Sequence, residues 1–320
     1  MSPSDMTSPA LPLSHIKGKI PKGRDLTNEK IQLASRATIG YGGATDVYRG
    51  EWFGKEGTIL VAIKVYRGGH LDDKIEETNR RLVRETHTWC SLKHKNILPF
   101  YGWSKNKDIA PSTSLICPLL LNGHIIQYLN NTPDANRSRL VADIASGLNY
   151  LHTGLNEGAI IHGDLKPNNV LIGNDGTALL ADFGRSIVLD FDGYMTAAML
   201  GCGEYMAPEL FQDTGDKEPG SWMFTKESDV YSFSLLAFQI MTDYIPLSIN
   251  GKGRHPTHIP GLVKKGKRPT RDLDEHGRIS DSLWELLTDG WSATLSKRPT
   301  VKVMCECPQL NDHINADDVE

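Results

Sequence analysis

Residues 160–172 read Ile160-Ile161-His162-Gly163-Asp164-Leu165-Lys166-Pro167-Asn168-Asn169-Val170-Leu171-Ile172. Apolar residues bracket a polar centre in which Asp164, Lys166 and Asn169 stand in that order. Asp can accept a proton, Lys can neutralise a phosphoryl group in transfer, and Asn offers a carbonyl oxygen to Mg2+. A polar loop arising by chance explains neither the order nor the flanks. Further along comes Leu179-Leu180-Ala181-Asp182-Phe183-Gly184, in which Asp182 ends an apolar, strand-like run. A carboxylate placed there can hold a metal over triphosphate oxygens.

Working upstream, Gly40-Tyr41-Gly42-Gly43-Ala44-Thr45-Asp46-Val47 reads as a flexible loop whose backbone N–H groups could approach phosphate oxygens. A dinucleotide-binding fold needs a helix directly after such glycines. Here strand-like Val47-Tyr48-Arg49-Gly50-Glu51-Trp52 follows, and Thr45 takes the place of the third glycine, so that reading fails. Lys64 lies in Val61-Ala62-Ile63-Lys64-Val65, where alternation puts it on one face with Ala62 and Tyr66. Alone it could be a solvent-facing lysine. Glu85 lies three residues after Leu82 and four before Trp89, on the apolar stripe of a helix expected over 72–92. A carboxylate on a core-facing stripe is costly unless a cation meets it, and Lys64 is the candidate.

The rest of the chain sets these motifs in a frame. Residues 1–32 are rich in Ser, Pro, Gly and Lys without apolar periodicity and read as a disordered N-terminal arm. Short strands are expected through 33–121, including 96–103 and 114–120, with one helix among them. From 122 the pattern turns helical: Leu140, Ile144, Leu148 and Leu151 share a stripe, and residues 228–242 are apolar nearly all round, as in a buried helix. Residues 309–320 read as a frayed acidic tail. A strand-rich third followed by a helix-rich remainder suggests two lobes with a cleft between them.

Composition narrows the function classes. The chain has 320 residues, 39% hydrophobic and 23% charged, which is enough to bury a sizeable core. Thirty-five basic against 39 acidic residues leave a formal charge of −4, which gives no support to nucleic-acid or anionic-membrane binding. No apolar run reaches the ~18 residues of a spanning helix, and the opening residues lack the apolar core of a secretory signal. Five cysteines, at 90, 117, 202, 305 and 307, do not form a disulfide framework. A cytoplasmic or nuclear location is the expectation.

The motifs Gly40-x-Gly42-x-x-x-x-Val47, Val61-Ala62-Ile63-Lys64, helical Glu85, His162-x-Asp164-Leu165-Lys166-Pro167-x-Asn169, Asp182-Phe183-Gly184 and Ala207-Pro208-Glu209 occur in the order of the protein-kinase signature set. The chain therefore resembles the eukaryotic protein kinases from about Ile39 to Val303. Residues 228–233, 277–291 and 297–300 look like the tyrosine-kinase-like group of serine/threonine kinases. The resemblance implies an α+β, bilobal protein kinase fold over 33–308, with a small β-rich N-lobe (33–121) and a larger helical C-lobe (122–308).

It also implies roles. ATP would be bound by Ile39, by Gly40 to Val47 (Gly42 and Gly43 among them) covering the phosphates, and by Lys64, held by Glu85, at the α and β phosphates. Val47, Ala62 and Leu171 would sandwich the adenine, Cys117 would be the gatekeeper, and Pro118 and Leu120 would supply hinge hydrogen bonds. Asp164 and Lys166 would be catalytic, and Asn169 and Asp182 would hold Mg2+. Trp89, His162 and Phe183 would stack in an internal spine, Asp229 would tie down the catalytic-loop backbone, and Glu209 would pair with Arg298. Three positions depart from the family pattern: Thr45, Gly163 in place of the usual Arg, and Cys202 in place of a Thr that hydrogen-bonds the catalytic loop. Because Gly163 cannot pair with a phosphate, basal activity is expected not to depend on phosphorylation of Tyr194 or Thr196. Two functions follow from different classes: an active kinase acting on protein serine/threonine hydroxyls, with a protein substrate as its partner and a monomeric state, or a pseudokinase scaffold with little transfer.

Overall fold

Hydrophobic alternation along residues 57–66 sends Val61 and Ile63 to one side of a strand and Ala62, Lys64 and Tyr66 to the other. In the computed structural model, which describes residues 24–41, 45–67, 75–154, 158–183, 187–188, 203–211, 224–248 and 258–314, that strand is the centre of the first of two units. The chain divides after Leu121, and Asp182 and Phe183 rejoin the first unit.

The first unit is a five-stranded antiparallel sheet in the order β1-β2-β3-β5-β4, with one helix. Its strands are β1 (Ile31–Tyr41), β2 (Thr45–Gly54), β3 (Gly57–Tyr66), β4 (Gly102–Ser104) and β5 (Ser114–Pro118), and α1 spans Ile75–Ser91. Val61 and Ile63 are fully buried with Trp52, Ile116, Leu26 and Ile31 in one cluster. The opposite face of β3 carries Lys64 and Tyr66. On α1, Leu82, Glu85, Thr86 and Trp89 are all buried, which is the i, i+3, i+4, i+7 spacing of a core-facing stripe.

Two sequence expectations change here. Residues 24–32 do not belong to a disordered arm: Leu26 N donates to Trp103 O at 2.7 Å, Asp25 bridges to Trp103, and Leu26 and Ile31 are in the core. Gly102 makes this docking possible, because a Cβ there would lie 2.3 Å from Arg24 O. Two apolar residues among polar neighbours carry no periodic signal, so their burial is set by the edge they meet. The strand expected over 96–103 is also shorter, confined to Gly102–Ser104.

The second unit is mainly helical: α2 (Ile125–Asn131), α3 (Arg137–Thr153), α4 (Lys226–Thr242), α5 (Ile259–Lys264), α6 (Asp281–Gly290), α7 (Val301–Cys305) and α8 (Pro308–Ile314). Two small antiparallel pairs accompany them, β6 (Ile160–Ile161) with β9 (Ile187–Val188) and β7 (Val170–Ile172) with β8 (Ala178–Leu180). Leu140, Ile144, Leu148 and Leu151 are all buried on α3. The α4 helix is buried along almost its whole length, and Thr225 and Ser228 close a reciprocal capping box at its start. Residues 309–314 are not a frayed tail: Leu310 on α8 is fully buried, and α8 packs on α3. The pattern failed there because about two turns with a single buried leucine show no period. Among the described residues, no helix is long and apolar enough to cross a membrane.

Candidate active site

In the first unit the site is built on β3 and α1. Register places Lys64 opposite Val47 on β2 and Leu115 on β5, in the middle of the sheet. Its ammonium lies 2.6 Å from Glu85 Oε1 and 2.8 Å from Asp182 Oδ1. Tyr66, two residues along the same face, donates its hydroxyl hydrogen to Glu85 Oε2. Burial alone pulls the Lys64 ammonium down, but the carboxylates of Asp182 and Glu85 outweigh it and hold the group well above the usual lysine range. Burial pushes the Glu85 carboxyl up against the opposing pull of Lys64. Burial likewise raises Tyr66, so its phenol keeps its proton and serves as a donor.

Asp182 has a φ of 64°, in the left-handed region, where a non-glycine residue costs roughly 1–3 kcal/mol and is held by its surroundings. Phe183 follows, fully buried, with its ring 6.0 Å from Trp89. Trp89 is itself fixed: its indole N–H donates to Leu98 O at 2.6 Å, and it stacks on Phe100 at 4.8 Å. Of the expected spine, Trp89 and Phe183 meet, and His162 is held in the second unit with Nε2 3.1 Å from Ala181 O.

Of the residues assigned to adenine, Val47, Ala62, Cys117 and Pro118 fall on the adjoining strands β2, β3 and β5. Ala62 pairs with Cys117, Val61 with Pro118, and Gly40 with Val47. Ala62 and Cys117 are buried, Leu120 is half-buried, and Ile39 is exposed. Burial pushes the Cys117 thiol up to about 12. Gly42, Gly43, Cys202, Tyr194 and Thr196 lie outside the described residues. Thr45, the substituted glycine position, is buried at the start of β2.

In the second unit, the loop after β6 is pinned from below by Asp229 of α4. Its carboxylate is 1% exposed and accepts from the backbone N–H of His162 at 2.8 Å and of Gly163 at 2.9 Å. His152 of α3 lies 2.9 Å from the same carboxylate. Gly163 has a φ of 74°, which glycine adopts without a Cβ penalty. Above this anchor, Lys166 Nζ donates to Asp164 Oδ2 at 2.6 Å. Asn169 Nδ2 donates to Asp164 O at 2.8 Å and to Asp164 Oδ2 at 3.0 Å. Two donors therefore orient one carboxylate, and the Asn169 side-chain oxygen is the atom of that amide suited to a cation. Asn169 is in turn held by its carbonyl, which accepts from Ala181 N at 2.9 Å. Leu171, assigned to the adenine, is half-buried on β7 and bridges to His124. A cavity of about 20 Å³, room for about one water, lies against Asp164 and Lys166, with Tyr205, Met206 and Phe224 in its lining.

Glu209 and Arg298 pair through two hydrogen bonds, at 2.7 and 2.8 Å, as the sequence implied. Arg298 also lies over the Tyr231 ring at 5.0 Å, so the pair is built into the helical core. Sequence reasoning gave no role to Tyr66 or His152. Tyr66 had been placed on the Lys64 face, which is the signal that could have found it. His152 sits one residue past Leu151 of the apolar stripe, and no local pattern links it to Asp229.

Comparison with known proteins agrees with this arrangement. The profile of the protein tyrosine and serine/threonine kinase family matches residues 33–307. A probable LIM domain-containing serine/threonine-protein kinase of Dictyostelium discoideum is 31% identical over 293 residues, covering 90% of this chain and 40% of that protein. The L-type lectin-domain containing receptor kinase IX.1 of Arabidopsis thaliana is 32% identical over 83% of this chain and 38% of its own length. The serine/threonine-protein kinase STY46 of Arabidopsis thaliana is 27% identical over 84% of this chain and 42% of its own. The α+β architecture, β-rich in its N-terminal unit and helical in its C-terminal unit, is that of a protein kinase domain. The chain belongs to the protein tyrosine and serine/threonine kinase family, and its relatives are serine/threonine kinases of the tyrosine-kinase-like kind. It spans about two fifths of the length of these relatives or less.

Proposed function

We propose that this chain is an active, ATP- and Mg2+-dependent protein kinase that transfers the γ-phosphoryl group to serine or threonine hydroxyls of proteins. The observation that carries the reading is the Asp164 carboxylate held by Lys166 and Asn169 on a backbone pinned by Asp229. A scaffold that only bound nucleotide has no need of an oriented base.

The residues fit the metal that the family generally uses. Asn169 and Asp182 offer hard oxygen donors, and Mg2+ is commonly held by one or two such groups together with phosphate oxygens. Among the described residues no group of three His, Cys, Asp or Glu forms a metal cage. Bound there, Mg2+ would neutralise charge on the β and γ phosphates. Lys64 contributes a fixed ammonium to the α and β phosphates. Asp164 orients the substrate hydroxyl and takes its proton as the hydroxyl oxygen bonds to the γ-phosphorus. The bond from that phosphorus to the β–γ bridging oxygen breaks, and ADP leaves with the electron pair. Lys166 balances charge on the group in transfer.

The test is incorporation of labelled γ-phosphate from ATP into a basic serine/threonine peptide, with two variants alongside. Asp182→Asn should abolish Mg2+-dependent nucleotide binding, since a neutral amide gives up most of the attraction to the ion. Asp164→Asn should keep Mg·ATP binding and lose transfer. ATP binding by the wild type without any transfer would make the chain a pseudokinase scaffold instead.

A further inference from the structure

Glu85 is a fully buried carboxylate, and its two oxygens are taken by two different donors. Oε1 receives the Lys64 ammonium at 2.6 Å, and Oε2 accepts from the Tyr66 hydroxyl. Tyr66 lies two residues beyond Lys64 on β3, so the pleat sends both side chains to the face that α1 covers. Tyr66 as a whole is 5% exposed.

We propose that Tyr66 is a positioning residue of the nucleotide site: its phenol grips Glu85 Oε2 so that Oε1 stays aimed at Lys64 when the ammonium is shared with phosphate. The inference rests on the kinase reading above. Lys64 already divides its charge between Glu85 and Asp182, and a phosphate adds a third acceptor to an ammonium with three protons. As that sharing weakens the hold on Glu85, the phenol remains, among the described residues, the donor to this carboxylate that a nucleotide does not compete for. A carboxylate held at one oxygen can turn about its last torsion; one held at both cannot. A phenylalanine would fill the same space, so the ring alone does not account for the hydroxyl.

The test uses the full chain and Tyr66→Phe, which removes only the oxygen. Mg·ATP affinity is measured by calorimetry, and KM values for ATP and for a basic serine/threonine peptide by steady-state kinetics. The Kd and KM for ATP should rise about tenfold, the effect of losing a hydrogen bond to a charged group, while the peptide KM stays unchanged. A smaller folded fraction would instead lower kcat and leave both KM values alone. In a Glu85→Ala background, Tyr66→Phe should change ATP affinity less than twofold, because the group it acts through is gone. Wild-type ATP affinity in Tyr66→Phe, or a full tenfold loss in the Glu85→Ala background, overturns the inference and leaves the kinase reading intact. A wild type that binds ATP without transfer defeats the transfer reading alone, and the calorimetric comparison still decides Tyr66. A wild type that binds no ATP overturns both.

Discussion

Lys64 meets two carboxylates through one ammonium, and each partner depends on it differently. Glu85 is fully buried and keeps only the Tyr66 phenol if the ammonium goes, whereas Asp182 is more than a third exposed and can turn to water. Lys64→Met should therefore lower phosphoryl transfer by at least a hundredfold. It should also destabilise the fold by about 3–5 kcal/mol, the usual result of stranding one member of a buried pair. Activity assays and denaturant unfolding read the two losses separately. The cysteines give a second residue-level expectation. Cys90, Cys117 and Cys305 are unpaired thiols, each pushed up to about 12 by burial. They should resist iodoacetamide in the native protein at pH 8, where a free thiol near 9 reacts readily. The linkage sign follows: protonated thiols favour the folded state below pH 9, and that contribution is lost as pH rises from about 9 toward 12. Alkylation mapped by mass spectrometry and unfolding measured across pH 8–11 check both statements.

The loop after β6 owes its shape to α4 more than to its own residues. Asp229 satisfies the backbone N–H groups of His162 and Gly163 and engages His152, tying α3, α4 and the loop at a single carboxylate. Asp229→Ala leaves the buried N–H of His162 and the partly buried N–H of Gly163 unmet, at about 1–3 kcal/mol for the buried one. Transfer should fall by more than tenfold as Asp164 loses its platform, while Lys64 and Asp182, which belong to the other unit, keep their contacts. A Tm drop with transfer unchanged would show that the loop holds itself. The local patterns of the elements were readable where a period existed: the stripe of α3, the all-round burial of α4 and the Lys64 face of β3 were expected from spacing. The Glu85–Lys64 pair was legible too, since a carboxylate on an apolar stripe demands a cation. The phenol on Glu85 was not, because nothing in the spacing of β3 and α1 says which oxygen meets which side chain.

Taken whole, the molecule extends past the kinase motifs at both ends. The family match covers 33–307, yet Leu26 and Ile31 belong to the sheet core, and Leu310 is buried where α8 packs on α3. Gln309 donates to Ser138 Oγ and Arg278 O, which fastens α8 further. A chain cut to residues 33–307 should therefore unfold at a clearly lower temperature than the full chain. Leu26→Ala and Leu310→Ala should each cost about 2–5 kcal/mol, the range for emptying a buried leucine site. Thermal scans of the three variants test this, and unchanged midpoints would mean that both segments are ornaments on a core complete without them. The order of chemical groups along the chain was already sufficient to name the class and to nominate candidates for the base, the metal donors and the phosphate lysine, because a motif is local and its spacing survives without a fold. Two facts needed the folded chain: the grip of Tyr66 on Glu85, and the burial of Leu26, Ile31 and Leu310 in segments that read as loose ends. Each joins residues distant in sequence through a few isolated contacts, which leave no period for a linear pattern to carry.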